Sequence, residues 1–95
     1  MRLPQGWVLL DGETAGKLEA ELRREVASPH PLFHRPLRAV ARREDRDDVL
    51  FVPATGESPV HCVHLTWSVE TDAKWPHTQS YDSIDAFLES WSNSD

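Results

Sequence analysis

Three prolines, Pro29, Pro31 and Pro36, fall within residues 28–36. Each fixes φ and removes a backbone N–H, so neither a regular helix nor an interior strand passes through this stretch. The chain must therefore be assembled from separate elements on either side of the break. Its 95 residues suffice for a single domain, 1–95. A domain this small needs a compact core and has little volume for an enclosed active site.

Before the break, residues 11–26 read as a helix. Leu18, Leu22 and Val26 recur at four-residue steps, with Ala15 one turn earlier, which gives a narrow apolar stripe. Asp11 or Thr14 is the candidate N-cap. Glu19 and Arg23 form a favourable i,i+4 pair and Glu21 and Glu25 an unfavourable one, so packing rather than charge must hold this helix.

After the break, 37–43 reads as a strand with Leu37, Ala39 and Ala41 on one face and Arg38, Val40 and Arg42 on the other. Residues 44–48 form a polar turn, and the run Val49, Leu50, Phe51, Val52 a more buried strand. A turn over 53–59, with Gly56 near its middle, leads to a third strand over 60–67. Its His61, Val63, Leu65 and Trp67 share one face, and Val60, Cys62, His64 and Thr66 the other. Residues 68–81 read as a long loop. The closing helix, 83–92, carries Ile84, Phe87, Leu88 and Trp91 at i, i+3, i+4 and i+7, with Asp82 as N-cap and Asp85 in the first turn.

The order α-β-β-β-α predicts an α+β fold. In its simplest form this is a two-layer sandwich: a three-stranded antiparallel meander with both helices on one face. Trp7 and its neighbours supply either a short extra strand or an N-terminal lid.

Composition narrows the function classes. With 39% hydrophobic and 27% charged residues the chain matches an ordinary globular protein rather than a collagen-like or disordered one. No run approaches the roughly 18–20 apolar residues of a membrane span, and the N-terminus lacks the apolar centre of a signal peptide. A single thiol, Cys62, excludes an intramolecular disulfide framework and fits a reducing compartment, so a cytoplasmic location is expected, with no membrane partner.

The net charge of −6 is unevenly spread. Residues 23–46 hold seven Arg against three acids, a net +4, which leaves −10 for the rest. The total disfavours nucleic acid as a partner. The central arginines either pair with nearby acids or form a local basic surface.

Several residue types invite a chemical reading. Cys62 and His64 share a strand face and are metal-ligand types, but two ligands fall short of the usual three or four; His61 points the other way. His30 and His34 could join them only if the proline loop folded back over the sheet. As a Cys-His nucleophilic pair, Cys62 and His64 sit about 7 Å apart along a strand, and no glycine-rich turn supplies an oxyanion site. The acids Glu44, Asp45, Asp47 and Asp48 lack the spacing of a calcium loop and read as a solvated hairpin turn, or as partners of Arg42 or Arg43. Trp91 belongs to the core stripe. Trp75, followed by Pro76, is either a loop anchor or an exposed contact.

The segments His30-Pro31-Leu32-Phe33, Ala41-Arg42-Arg43 through Asp47-Asp48-Val49-Leu50-Phe51, and Val63-His64-Leu65-Thr66-Trp67 with Trp75-Pro76 resemble those of a family of small bacterial single-domain proteins. The resemblance implies a single-domain bacterial protein and carries no activity, cofactor or site residue.

No cofactor motif is present, and the expectation is a noncatalytic protein-binding module, inhibitor- or immunity-like by analogy. The sheet face left open by the helices would present Arg38, Arg42, His64 and Thr66, together with Cys62, and Trp75 would add a loop contact. The acidic flanks favour a basic protein partner. The same open face could support a homodimer. The alternative is a small metal protein or enzyme using Cys62, His64 or His61 with a histidine of the proline loop.

Overall fold

The computed structural model describes residues 3–26, 30–32, 35–55, 59–67 and 76–92, with backbone only at 91 and 92. Within these residues lie β1 (Trp7–Leu9), α1 (Gly12–Glu25), β2 (Leu37–Arg43), β3 (Asp48–Pro53), β4 (Val60–His64), β5 (His77–Tyr81) and α2 (Ile84–Ser92). The strands form one antiparallel sheet in chain order, β1-β2-β3-β4-β5. The α+β class and the central meander follow the sequence pattern. The sheet, however, has five strands rather than three, and Trp7 opens a strand rather than a lid.

Helix α1 starts where the sequence places it. The Asp11 side chain accepts the Thr14 N–H at 2.7 Å, and Glu13 near the start and Arg23 and Arg24 in the last turn complement the helix dipole. Its stripe of Leu18, Leu22 and Val26 packs on Ala39, Val49, Phe51, Val63 and Leu65. For α2 the cap is Ser83 rather than Asp82. The Ser83 Oγ accepts the Ala86 N–H at 3.0 Å, the three-residue reach an N-cap needs, and Asp82 lies one residue too early for it.

The two helices do not share a face. Phe87 of α2 packs with Trp7, Ala41, Leu50 and Val60, a second core cluster on the other side of the sheet. Alternation along β3 shows the division, since Val49 and Phe51 face α1 while Leu50 faces α2. The expected two-layer sandwich is therefore corrected to a sheet between one helix on each side. Phe87 receives Trp7 edge-on at a centroid distance of 5.2 Å and Tyr81 at 5.4 Å. These rings come from β1 and β5, so one α2 residue binds both outer strands.

The register explains how both faces become apolar. Ala39 opposes Phe51 and Ala41 opposes Leu50, which leaves Val40 as an extra residue, a β-bulge. Before it, Leu37 and Ala39 face α1; after it, Ala41 faces α2. Strict alternation along 37–43 is thus broken at one residue.

Because Phe87 is fully buried and meets rings from both outer strands, Phe87→Ala is expected to cost about 3–5 kcal/mol, read as a lower urea midpoint at unchanged slope. A loss under about 1 kcal/mol would show that α2 does not hold that face.

Candidate functional site

The residues expected to form one binding surface are dispersed. Across the sheet Arg38 opposes Val52, whereas Arg42 opposes Val49 and Val8, so the bulge sends the two arginines to opposite faces. Each face also carries a helix, which removes the open face that was to present them. Cys62 and His64 do share a face, opposite Leu50 and Asp48. Thr66 lies beyond the end of β4 and Trp75 lies outside the described residues, as do His34 and the Trp91 side chain.

Around His64 the structure builds a polar cluster. The His64 Nδ1 lies 2.8 Å from Asp48 Oδ1, and Arg43 pairs with Asp45 at 2.9 Å and with Asp48 at 3.8 Å. The acids of the β2–β3 turn therefore meet Arg43, as one reading of the sequence held. Cys62 lies beside this cluster, yet burial and the Asp48 charge push its thiol up to about 12, against the lesser pull of Arg43. A nucleophilic or metal-binding cysteine needs the opposite shift. Among the described residues no group of three or more His, Cys, Asp or Glu is placed to hold a metal ion.

The proline loop does fold back, but its histidine is used structurally. His30 is buried, its Nδ1 accepts the Leu32 N–H at 3.0 Å, and its Nε2 donates to the Pro76 carbonyl at 3.0 Å. Both ring nitrogens are engaged, in the neutral tautomer. His61 is also buried, with Nδ1 2.7 Å from Ser80 Oγ; burial, then the charge of Arg35, lowers its pKa.

A feature the sequence did not reveal ties α1 to the end of β4. Glu25 is fully buried and accepts the Thr66 N–H at 2.7 Å, the Thr66 hydroxyl at 3.1 Å and the Trp67 N–H at 2.7 Å. These bonds hold Trp67 at φ 61°, a left-handed conformation that is uncommon for a non-glycine residue and strained. The Trp67 indole, expected on the same strand face as Val63 and Leu65, is half exposed. Burial, then the hydrogen bond to Glu21, pushes the Glu25 carboxyl up to about 7 against those three donors. Burial also works to raise Glu21, but the Arg24 guanidinium, bonded at 2.7 and 2.9 Å, and the Glu25 proton outweigh it and hold Glu21 below its ordinary value.

A groove of about 710 Å³ lies between the second half of α1 and the chain leading into β2. Leu22, Val26, Leu32 and Leu37 give it an apolar floor, and Arg23 and Arg35 border it with Glu19 as its lone acid, for a net +1; Arg38 touches its edge, but alternation along β2 turns that side chain toward the face of Val52. Glu19 is already committed, its Oε2 accepting the Ala39 N–H at 2.9 Å. Among the described residues, neither Arg23 nor Arg35 forms an ion pair, whereas Arg24 and Arg43 do. The basic central stretch of the sequence thus divides into structural arginines and groove arginines.

The other expected site residues, Arg42, His64, Thr66 and Cys62, do not line this groove. No family model, curated protein or solved structure matches the chain. No helix among the described residues is long and apolar enough to cross a membrane.

Two outcomes follow from these environments. Cys62 should react with a disulfide reagent at pH 8 far more slowly in the native protein than in urea; equal rates would mean that its thiol is neither buried nor raised. For Glu25, a folded-state pKa above the unfolded 4.5 means that the folded protein holds the proton more tightly. Its contribution is full below about pH 4.5 and is lost as pH rises through about 7. Wild type should therefore lose stability between pH 5 and 8 relative to Glu25→Gln in urea titrations, and parallel profiles would contradict the assignment.

Proposed function

We propose that this chain is a noncatalytic module that binds another protein through the groove between α1 and β2, with an acidic contact on the partner. The observation that carries the reading is the groove itself, an apolar floor bordered by arginines without ion pairs among the described residues. Arginine above apolar surface is a pairing that often dominates protein interfaces, because guanidinium combines directional hydrogen bonding with stacking and is weakly hydrated.

A catalytic or metal reading through Cys62 and His64 is less well supported, because the thiol is raised and His30 has both nitrogens engaged. The expected basic partner followed from the charge of the whole chain. At physiological ionic strength, however, exposed charges act over about 8 Å, so the groove's own +1, with both arginines at its border, governs what docks there.

The test is a quantitative pull-down from the native host followed by reconstitution with purified components. A partner that is retained by wild type and by Arg46→Glu, outside the groove, but lost by Arg23→Glu/Arg35→Glu supports the reading. Equal retention by all three proteins would overturn it. Both groove arginines are exposed, so the double variant should keep wild-type stability within about 1 kcal/mol.

A further inference from the structure

Resting on that reading, we infer that the groove takes a linear acidic segment of the partner, one or more apolar side chains flanked by carboxylates, rather than the surface of a folded acidic domain. The shape of the site argues for this. A rigid folded surface meets its partner over roughly 800 Å² on each side, which requires a broad and fairly level patch. Here the apolar surface is recessed: Leu22 and Val26 come from the α1 side and Leu32 and Leu37 from the chain opposite, and all four are more buried than the exposed Arg23 and Arg35 beside them. Leu22, Val26 and Leu32 are nearly closed to solvent and Leu37 is half-buried, so the apolar contact on offer is narrow and suits a single inserted side chain rather than a level surface.

The chemistry at the rim sets the composition of the insert. Carboxylates next to the apolar anchors would meet guanidinium groups in charge-assisted, bidentate geometry. A basic segment would face Arg23 and Arg35 with only Glu19 to offset them, and Glu19 is held by the Ala39 N–H. The remainder of the protein reinforces the choice. Since residues outside the central stretch sum to −10, an acidic segment is disfavoured over most of the surface, which adds specificity by exclusion to attraction at the groove.

A linear segment also fits the length of the trough. It is lined by Glu19, Leu22, Arg23 and Val26 on one side and by Leu32, Arg35, Pro36 and Leu37 on the other, with Ala54 at its margin. The helical part of the wall, Glu19 to Glu25, is about 10 Å long, which an extended chain covers in about three residues. Such a binder is short, depends on few anchors and is sensitive to salt.

The experiment is selection from a phage-displayed random dodecapeptide library against the intact protein, followed by titration of the winning peptides as free synthetic molecules. Enrichment of peptides with two or more Asp or Glu beside an apolar residue is expected. Their binding should fall roughly tenfold for each of Arg23→Glu and Arg35→Glu and weaken between 0.05 and 0.5 M salt, while Arg46→Glu leaves it unchanged. Basic or uncharged winners, or acidic winners indifferent to the groove variants, would overturn the inference. Absence of any winner, with a host partner still dependent on Arg23 and Arg35, would overturn the linear segment and leave the binding module standing. Absence of any winner with no such partner would overturn both.

Discussion

One extra residue in β2 decides how this chain buries its apolar side chains. A regular strand over Leu37–Arg43 would send Leu37, Ala39 and Ala41 to a single face, and a helix on the other side would find little to pack against. With Val40 as a bulge, Leu37 and Ala39 face α1 while Ala41 joins Leu50 and Phe87 beneath α2. The sheet thereby gains two apolar faces from one short strand, and a chain of this size can bury Phe51 and Phe87 completely on opposite sides.

The groove depends on the same arrangement. Because β1 pairs with β2 only over Ala41–Arg43, the first half of β2 is left for α1. Glu19 reaches across to the Ala39 N–H, and the helix crosses the sheet with Leu22 and Val26 facing Leu32 and Leu37. At the far end of α1, Glu25 secures the Thr66–Trp67 turn. The helix is thus fixed to β2 by one carboxylate and to the end of β4 by another, and the groove wall between them is held in place. A binding site on such a rigid element loses little entropy on docking.

The sequence makes some of this visible and hides the rest for physical reasons. Both helices are legible, because the four-residue recurrence of Leu18, Leu22 and Val26 and the full stripe of α2 match the helical period and not the two-residue period of a strand. Strands β3 and β4 are legible through their β-branched and aromatic runs. Strand β5 is hidden because His77, Thr78, Gln79, Ser80 and Tyr81 form an outer strand without deep burial, and their polarity matches that of a loop. The bulge is invisible because an insertion of one residue changes register without changing composition, so Arg38 and Arg42 appear to share a face that they do not share. Glu25 appears only as a repulsive neighbour of Glu21, since its partners lie 41 and 42 residues away. The groove combines α1, the proline-rich connection, the start of β2 and Ala54, and no local window contains it. What the sequence does show is the raw material, a central stretch of +4 within a chain of −6.

The most direct test of the groove as the binding surface is backbone-amide chemical-shift mapping of the protein during titration with its reconstituted partner. The largest perturbations should fall on Glu19, Arg23, Val26, Leu32, Arg35, Leu37 and Ala54, with His64 and Gln79 on the opposite face unmoved. Perturbations centred on His64, Cys62 and Gln79 would place the interface on the α2 side and contradict the account.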